Sequence, residues 1–338
     1  MAGLQLADVS IDRGGVPVLE NLSFNVEPGA RVALLGSSGS GKTSILELIL
    51  GLLQPSKGSI VFAGRSLSIG GKIIIPAKER RFGFVMQEPV FLPHLTVSAN
   101  VGLSVIGSPV DQDVIKCLEV FAAGHLAKKY PYQLSAGEQG RVALARAMLA
   151  NPKLVLLDEA FHNFDTPLRY DLYDRLSEHL GQSGGSLLLV THDYFEACSL
   201  ASEVLVIRNG SICFHGTPQK LYDEKNDGWL RSFVGRDNLL NSRHLECLGN
   251  IDRLEHPTRL RPEDIIISDD KVLSQDKCLR GMVNSHRSYG FFYETVVDIV
   301  ADDGGGSLLC RSSAKCIYAV GRSVILTRVA KTTIKEIV

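Results

Sequence analysis

The sequence predicts an α/β domain built on a buried parallel sheet, followed by a small all-β domain. Short apolar runs at 31–35, 154–157 and 186–190 alternate with longer segments of helical period, the pattern of strands buried on both faces. Past about residue 235 the texture changes to short β-rich pieces at 264–267, 279–283, 291–300 and 323–329. Turn signals such as Asp302-Asp303-Gly304-Gly305-Gly306 separate them, as in a small barrel or sandwich. The 338 residues also exceed the ~100 to 200 of one ordinary core. Domains at 1–238 and 239–338 are therefore expected.

Composition narrows the function classes. A hydrophobic fraction of 45% against 22% charged residues is enough to fold and too apolar for a disordered chain. Lys plus Arg number 36 and Asp plus Glu 37, without blocks of one sign, so nucleic acid is not an expected partner. Seven cysteines, an odd number, are scattered at 117, 198, 213, 247, 278, 310 and 316 with no C-x-x-C pair. They read as reduced thiols, neither a disulfide framework nor a zinc site. No run reaches the roughly 18 uncharged apolar residues of a membrane span, and the N-terminus lacks a signal-peptide layout. A soluble chain is expected, with any membrane role reached through a partner.

The first chemical motif is Gly36-Ser37-Ser38-Gly39-Ser40-Gly41-Lys42-Thr43, which fits G-x-x-x-x-G-K-[ST]. It follows the apolar run 31–35 and precedes a helix-like run that begins at Ser44. A Gly/Ser turn alone could match by chance, but strand before and helix after are the context of a P-loop for ATP. The glycines let successive N–H groups point at phosphate oxygens, and the helix adds the positive end of its dipole. Lys42 would neutralise the β and γ phosphates, and the Thr43 hydroxyl would ligate Mg²⁺.

The second is Leu154-Val155-Leu156-Leu157-Asp158-Glu159, an apolar strand ending in two acids. A buried strand tip is a costly place for paired carboxylates unless a cation or a reaction requires them. A solvated strand end would explain the pair equally well in isolation. With a P-loop upstream, Asp158 reads as a holder of Mg²⁺ through water, and Glu159 as the group that polarises attacking water.

Leu134-Ser135-Ala136-Gly137-Glu138-Gln139, followed by Gly140-Arg141-Val142-Ala143-Leu144-Ala145-Arg146-Ala147, resembles the signature segment of ABC ATPases. Gln87 in Phe84-Val85-Met86-Gln87-Glu88-Pro89 resembles that family's Q-loop, Phe164-Asp165 the end of its D-loop, and His192 in Val190-Thr191-His192-Asp193 its switch histidine. Alone, His192 would read as a capping or surface residue and Gln87 as a loop residue; five motifs in family order reverse that. The resemblance implies a P-loop NTPase domain with a helical signature subdomain at about 88–150, and a catalytic set of Glu159, His192 and Gln87. It also implies that Gln87 touches the Mg²⁺ site. Ser135, Ala136, Gly137 and Glu138 would meet the ATP of an opposite subunit, in a head-to-tail homodimer with ATP sandwiched between the copies.

Four departures from the family pattern stand out. Arg13 occupies the position usually given to an aromatic residue under adenine, where a guanidinium plane can also stack. Ala136 replaces the first signature glycine. The D-loop reads His162-Asn163-Phe164-Asp165 where Ser-Ala-Leu-Asp is common, and Ala160 replaces the usual proline after Glu159.

Phe91-Leu92-Pro93-His94-Leu95-Thr96-Val97 resembles a stretch of importer ATPases, and Arg261-Pro262-Glu263-Asp264 the opening of the regulatory β domain often called TOBE. This subgroup implies membrane-embedded permease subunits docking near residues 87–97 and, indirectly, a solute-binding protein. It also implies a peripheral place on the cytoplasmic face of the inner (plasma) membrane. An inorganic ion such as ferric iron, sulfate or molybdate is the expected cargo, with a sugar or polyamine as the alternative. A soluble mechanical ABC ATPase would carry a long coiled-coil insertion, and a P-loop kinase or GTPase would lack residues 134–139.

Overall fold

The structure, a computed structural model, describes residues 3–105, 107, 111–224, 227–248, 258–269, 278–289, 292–313 and 318–328. It divides into two compact units, residues 1–221 and 222–338.

The first unit runs β1 (Leu4–Arg13), β2 (Val16–Val26), β3 (Arg31–Gly36), α1 (Lys42–Leu50), β4 (Lys57–Phe62), β5 (Arg65–Ile69), β6 (Lys72–Ile73), α2 (Ala77–Arg80) and β7 (Gly83–Val85). A helical stretch follows: α3 (Val97–Gly102), α4 (Asp111–Val120) and α5 (Ala136–Met148). The chain then returns to alternation with β8 (Leu154–Asp158), α6 (Thr166–Ser183), β9 (Ser186–Thr191), α7 (Tyr194–Leu200), β10 (Glu203–Arg208) and β11 (Ser211–Gly216).

Six strands form one sheet in the order β11-β10-β3-β9-β8-β7. All neighbours are parallel except the β10–β11 hairpin at the edge. Every residue of β8 and β9 is buried, which is why both read in the sequence as unbroken apolar runs. Because the register pairs Leu35 with Thr191 and Asp158 with Val190, the chain leaves β3, β8 and β9 at one common edge. That C-terminal edge is where ligands of open α/β sheets collect.

A second, fully antiparallel sheet, β2-β1-β4-β5-β6, was not legible from alternating strands and helices. Helix α1 shares one core with both sheets through Ile45, Leu46, Leu48 and Ile49, and truncating any one to Ala should cost about 2–5 kcal/mol. Its C-terminus is closed by a buried cation. Arg80 donates to Leu48 O (2.9 Å), Ile49 O (2.5 Å), Ile75 O (2.8 Å) and Leu67 O (3.2 Å). Leu48 O and Ile49 O lie in the last turn of α1, where carbonyls run short of intrahelical partners, and burial draws the Arg80 pKa down to about 10.

Helix α8 (Pro218–Tyr222) straddles the division. The second unit continues with α9 (Gly228–Val234), β12 (Asn238–Leu240), α10 (Ser242–Cys247), β13 (Thr258–Leu260), β14 (Ile265–Asp269), β15 (Leu279–Ser288), β16 (Phe292–Ile299), β17 (Ser307–Ser313) and β18 (Ser323–Arg328). Its antiparallel sheet, β14-β18-β15-β16-β17, brings its edge strands β14 and β17 together, so it curls nearly into an OB-like barrel. β17 is an addition to the strands expected from sequence.

The division falls after 221 and not at 238, and an arginine gives the reason. Arg261 donates to Tyr222 O (2.9 Å) and Arg231 O (3.1 Å), while Arg231 grips Asp237 through two 2.5 Å bonds. The segment 222–237 is thereby tied to the β domain. No helix among the described residues is long and apolar enough to cross a membrane.

Candidate active site

The loop between β3 and α1 is shaped by its glycines and by Lys42. Gly41 takes φ 105°, and a Cβ there would stand 2.6 Å from Leu19 Cδ2, so a side chain is excluded on both counts. Lys42 opens α1 and folds over the loop, its Nζ donating to Gly36 O (2.8 Å) and Ser37 O (2.9 Å). Burial lowers the pKa of this ammonium, opposed by the nearby Glu159 and Asp158. Ser37, Ser38 and Gly39 are exposed, Ser44 lies half-buried in the first turn, and Ser40 is buried with an Oγ that has no hydrogen-bond partner. The loop is an open cradle of N–H groups over a charged floor.

At the neighbouring strand end, the Thr43 hydroxyl donates to Asp158 Oδ2 at 3.3 Å. Burial pushes the Asp158 carboxyl upward in pKa, and the Thr43 bond and the Lys42 charge act in the opposite direction. A hydroxyl beside a buried carboxylate is a hard oxygen set of the kind Mg²⁺ takes together with substrate phosphate and water, so these residues fit that ion.

Glu159 departs from the strand in the left-handed region, φ 45°, its N–H still donating to Val190 O at 2.9 Å. For a non-glycine residue this costs on the order of 1–3 kcal/mol. The turn delivers the carboxylate between two loops: Gln87 Nε2 donates to Oε2 at 3.3 Å, and His192 Nδ1 lies 3.1 Å from Oε1. Since an ionised carboxylate only accepts, the imidazole carries its proton on Nδ1. The His192 side chain is 60% exposed.

Helix α5 begins with a reciprocal cap. Ser135 Oγ accepts from Glu138 N–H (3.2 Å) and Glu138 Oε2 accepts from Ser135 N–H (2.8 Å), satisfying two of the helix's free donors. Lys129 holds the remaining oxygen of Glu138 at 3.3 Å. Ser135 and Ala136 are exposed and Gly137 half-buried, so this helix start is open to solvent. Arg13 ends β1, and its side chain lies outside the described ones.

Residues 19–162 match the ABC transporter family. The Fe(3+) ions import ATP-binding protein FbpC of Pseudomonas fluorescens is 36% identical over 284 residues, 80% of this chain and 80% of that protein. This chain belongs to the ABC transporter family. The sulfate/thiosulfate import ATP-binding protein CysA of Synechococcus elongatus is 36% identical over 276 residues, 80% of this chain and 79% of its own. Among solved structures, a dimeric ABC transporter cassette, MJ0796, superposes with a TM-score of 0.58 at 26% identity, over 64% of this chain and 98% of that one.

Within this ABC ATPase, one departure from the family pattern has a local explanation, and supporting residues emerge that sequence reading missed. A Cβ on Gly140 would stand 2.7 Å from Phe164 Cζ, so the phenylalanine of the D-loop is accommodated by the absence of a side chain on α5. The loop 87–97 is organised by Asn100, fully buried on α3. Its Oδ1 accepts from Leu92 N–H (2.8 Å) while Nδ2 donates to Leu92 O (3.1 Å), Leu95 O (3.0 Å) and Thr96 O (3.0 Å). Arg146 of α5 donates to Val90 O (2.6 Å) and stacks over Phe91. The only sequence signal for Asn100 was a lone amide among apolar positions, Val97 and Val101.

Proposed function

We propose that this ABC ATPase is the ATP-hydrolysing subunit that energises solute import, working as a head-to-tail homodimer beneath membrane-embedded permease subunits. The observation that carries the reading is the Glu159 carboxylate, fixed on one oxygen by Gln87 and on the other by His192, beside the Thr43–Asp158 pair and the P-loop. As a water between Glu159 and the terminal phosphate attacks phosphorus, its proton would pass toward that carboxylate while the bond to the bridging oxygen breaks and ADP leaves with the electron pair. Lys42 and the N–H groups of residues 36–44 hold the phosphates in line. Mg²⁺, held by Thr43 and Asp158 with Gln87 at its edge, would supply charge neutralisation on the phosphate oxygens. His192 fixes the direction of the Glu159 carboxylate, and its Nδ1 proton keeps that oxygen anchored.

The dimer reading is supported by the dimeric state of the MJ0796 cassette and by the solvent-open helix start at Ser135, Ala136, Gly137 and Glu138, which suits the ATP of a second copy. Permease docking at residues 87–97 is supported by exposed apolar side chains, Met86, Val90 and Leu92. Beside them, a groove of about 750 Å³ is lined in part by Phe82, Phe84, Leu103 and Arg146. Such a subunit works peripherally at the cytoplasmic face of the inner membrane, with a solute-binding protein supplying the permease. An inorganic ion is the cargo this reading favours, ferric iron or sulfate, after the names of the two relatives. The nucleotide domain would end with the first unit near residue 221, and residues 222–338 would form a TOBE-like regulatory unit.

The test is Mg²⁺-dependent ATP hydrolysis by the purified chain, and uptake of radiolabelled ferric iron and sulfate by cells that lack it. A chain without ATPase activity, alone or with its permease, would end the proposal; restored uptake of neither ion would end the cargo assignment.

A further inference from the structure

The loop carrying His192 is held from two sides by groups that the hydrolytic reading does not use. At the end of β9, Thr191 Oγ1 donates to Glu196 Oε2 at 2.6 Å and accepts from Asp193 N–H at 3.0 Å. Asp193 then caps α7, its Oδ1 accepting from the N–H groups of Phe195 (2.8 Å) and Glu196 (3.4 Å). Thr191, Asp193 and Glu196 thus close a ring of bonds around the backbone of His192. The other oxygen of Asp193 faces Arg169 Nη1 at 3.6 Å. Arg169 is based in the first turn of α6, and its Nη2 donates to Phe164 O at 3.0 Å. One side chain therefore spans the D-loop and the His192 loop.

Glu196 is an unusual member of a loop support. It is 5% exposed, and its Oε1 has no hydrogen-bond partner. Burial pushes its pKa up to about 7, with the Thr191 bond opposing and Asp193 adding to the rise. Arg169 and His192 lie near enough to oppose that rise, and Tyr173 faces it from α6. A helix cap alone does not require a buried acid here, since Asp193 already caps α7.

We infer that Arg169 and Glu196 are positioning residues for hydrolysis: together they fix His192 against Glu159 and tie its position to the D-loop at Phe164. Movement of the 162–165 segment is then felt at the 3.1 Å His192–Glu159 contact through Arg169 and Asp193. This rests on the hydrolytic roles proposed for Glu159 and His192.

The experiment measures kcat and KM for ATP hydrolysis, the Kd for ATP and the Tm on the full chain. The variants are R169A, R169K, D193N and R169A/D193N, with E196A, E196Q and E159Q in parallel. Asn caps a helix as well as Asp, so D193N removes the charge while keeping α7. R169A should lower kcat by about tenfold with the ATP Kd held within about twofold, and the double variant should lose no more than the worse single one. R169K should recover part of the loss, and E196Q, still accepting from Thr191, should recover most of what E196A loses. R169A at the wild-type kcat, strictly additive losses in the double variant, or a fall in kcat matched by an equal loss of ATP affinity would overturn the relay. If E159Q turns over like wild type, it is the hydrolytic reading itself that fails; an inert E159Q beside a fully active R169A sinks only the relay.

Discussion

Glu159 Oε1 and His192 Nδ1 meet at 3.1 Å, although thirty-three positions separate them in the chain. The sheet makes the meeting unavoidable. β8 and β9 are parallel neighbours with Asp158 opposite Val190, so residues just past each strand end emerge side by side. The left-handed turn at Glu159 then aims its side chain across to the neighbouring loop.

In the function proposed above, Glu159 orients water and nucleotide binding is left to the P-loop. Glu159→Gln should lower kcat by about a hundredfold or more, the size of a lost positioned base. ATP affinity should stay near wild type, and a nucleotide-bound dimer should accumulate in light scattering. A normal turnover number in that variant would refute the assignment.

The packing of Gly140 against Phe164 predicts a second effect. Gly140→Ala introduces a methyl group where 2.7 Å remains, an overpacking that costs about 1–3 kcal/mol. Because the displaced ring belongs to the D-loop, the loss should appear in kcat as well as in Tm. Phe164→Leu, a shorter side chain, should restore both in the double variant. Tm and steady-state kinetics on the four proteins settle this, and a lone Gly140→Ala that matches wild type in both would disprove the packing argument.

The buried Glu196 carboxyl makes stability depend on pH with a definite sign. In the unfolded chain it ionises near 4.5, whereas in the folded chain it keeps its proton up to about 7. Between those values the folded state binds more protons, so this group's contribution to stability is lost as pH rises through that window. The rise corresponds to on the order of 3 kcal/mol. Glu196→Gln cannot ionise, so relative to wild type it should gain stability between pH 5 and pH 8. Urea unfolding at both pH values measures the gap, and a gap that does not change with pH would contradict the burial argument.

The parts of the site made of contiguous residues were legible in the sequence. The P-loop, the 154–159 strand and the 134–139 segment carry their chemistry in local order, and each sits at the predicted strand end or helix start. What sequence reading missed acts across long separations. Arg80 closes α1 from 31 and 32 positions away, and Arg146 reaches Val90 across 56; neither has a local pattern that distinguishes it from a surface arginine. The antiparallel sheet of β1, β2, β4, β5 and β6 was hidden for another reason. Its strands alternate buried and exposed positions with several register shifts, so no unbroken apolar run announces them.

The last prediction concerns the loop 87–97, the expected permease contact, whose two leucines are Leu92 and Leu95. The structure makes Leu92 the better probe. Leu95 is half-buried and its carbonyl accepts from Asn100, so a charge there would disturb the loop itself; Leu92 is 42% exposed while its backbone is pinned on both sides by Asn100. Leu92→Asp should therefore leave the loop intact and place a charge on its outer face. In a docked complex that charge would be buried without a partner, at a cost of several kcal/mol. ATP hydrolysis by the isolated chain should be unchanged, since Gln87 and Glu159 keep their 3.3 Å contact, while uptake and co-purification with the membrane fraction should both be lost. Full uptake in cells that depend on the Leu92→Asp protein would show that the permease docks elsewhere.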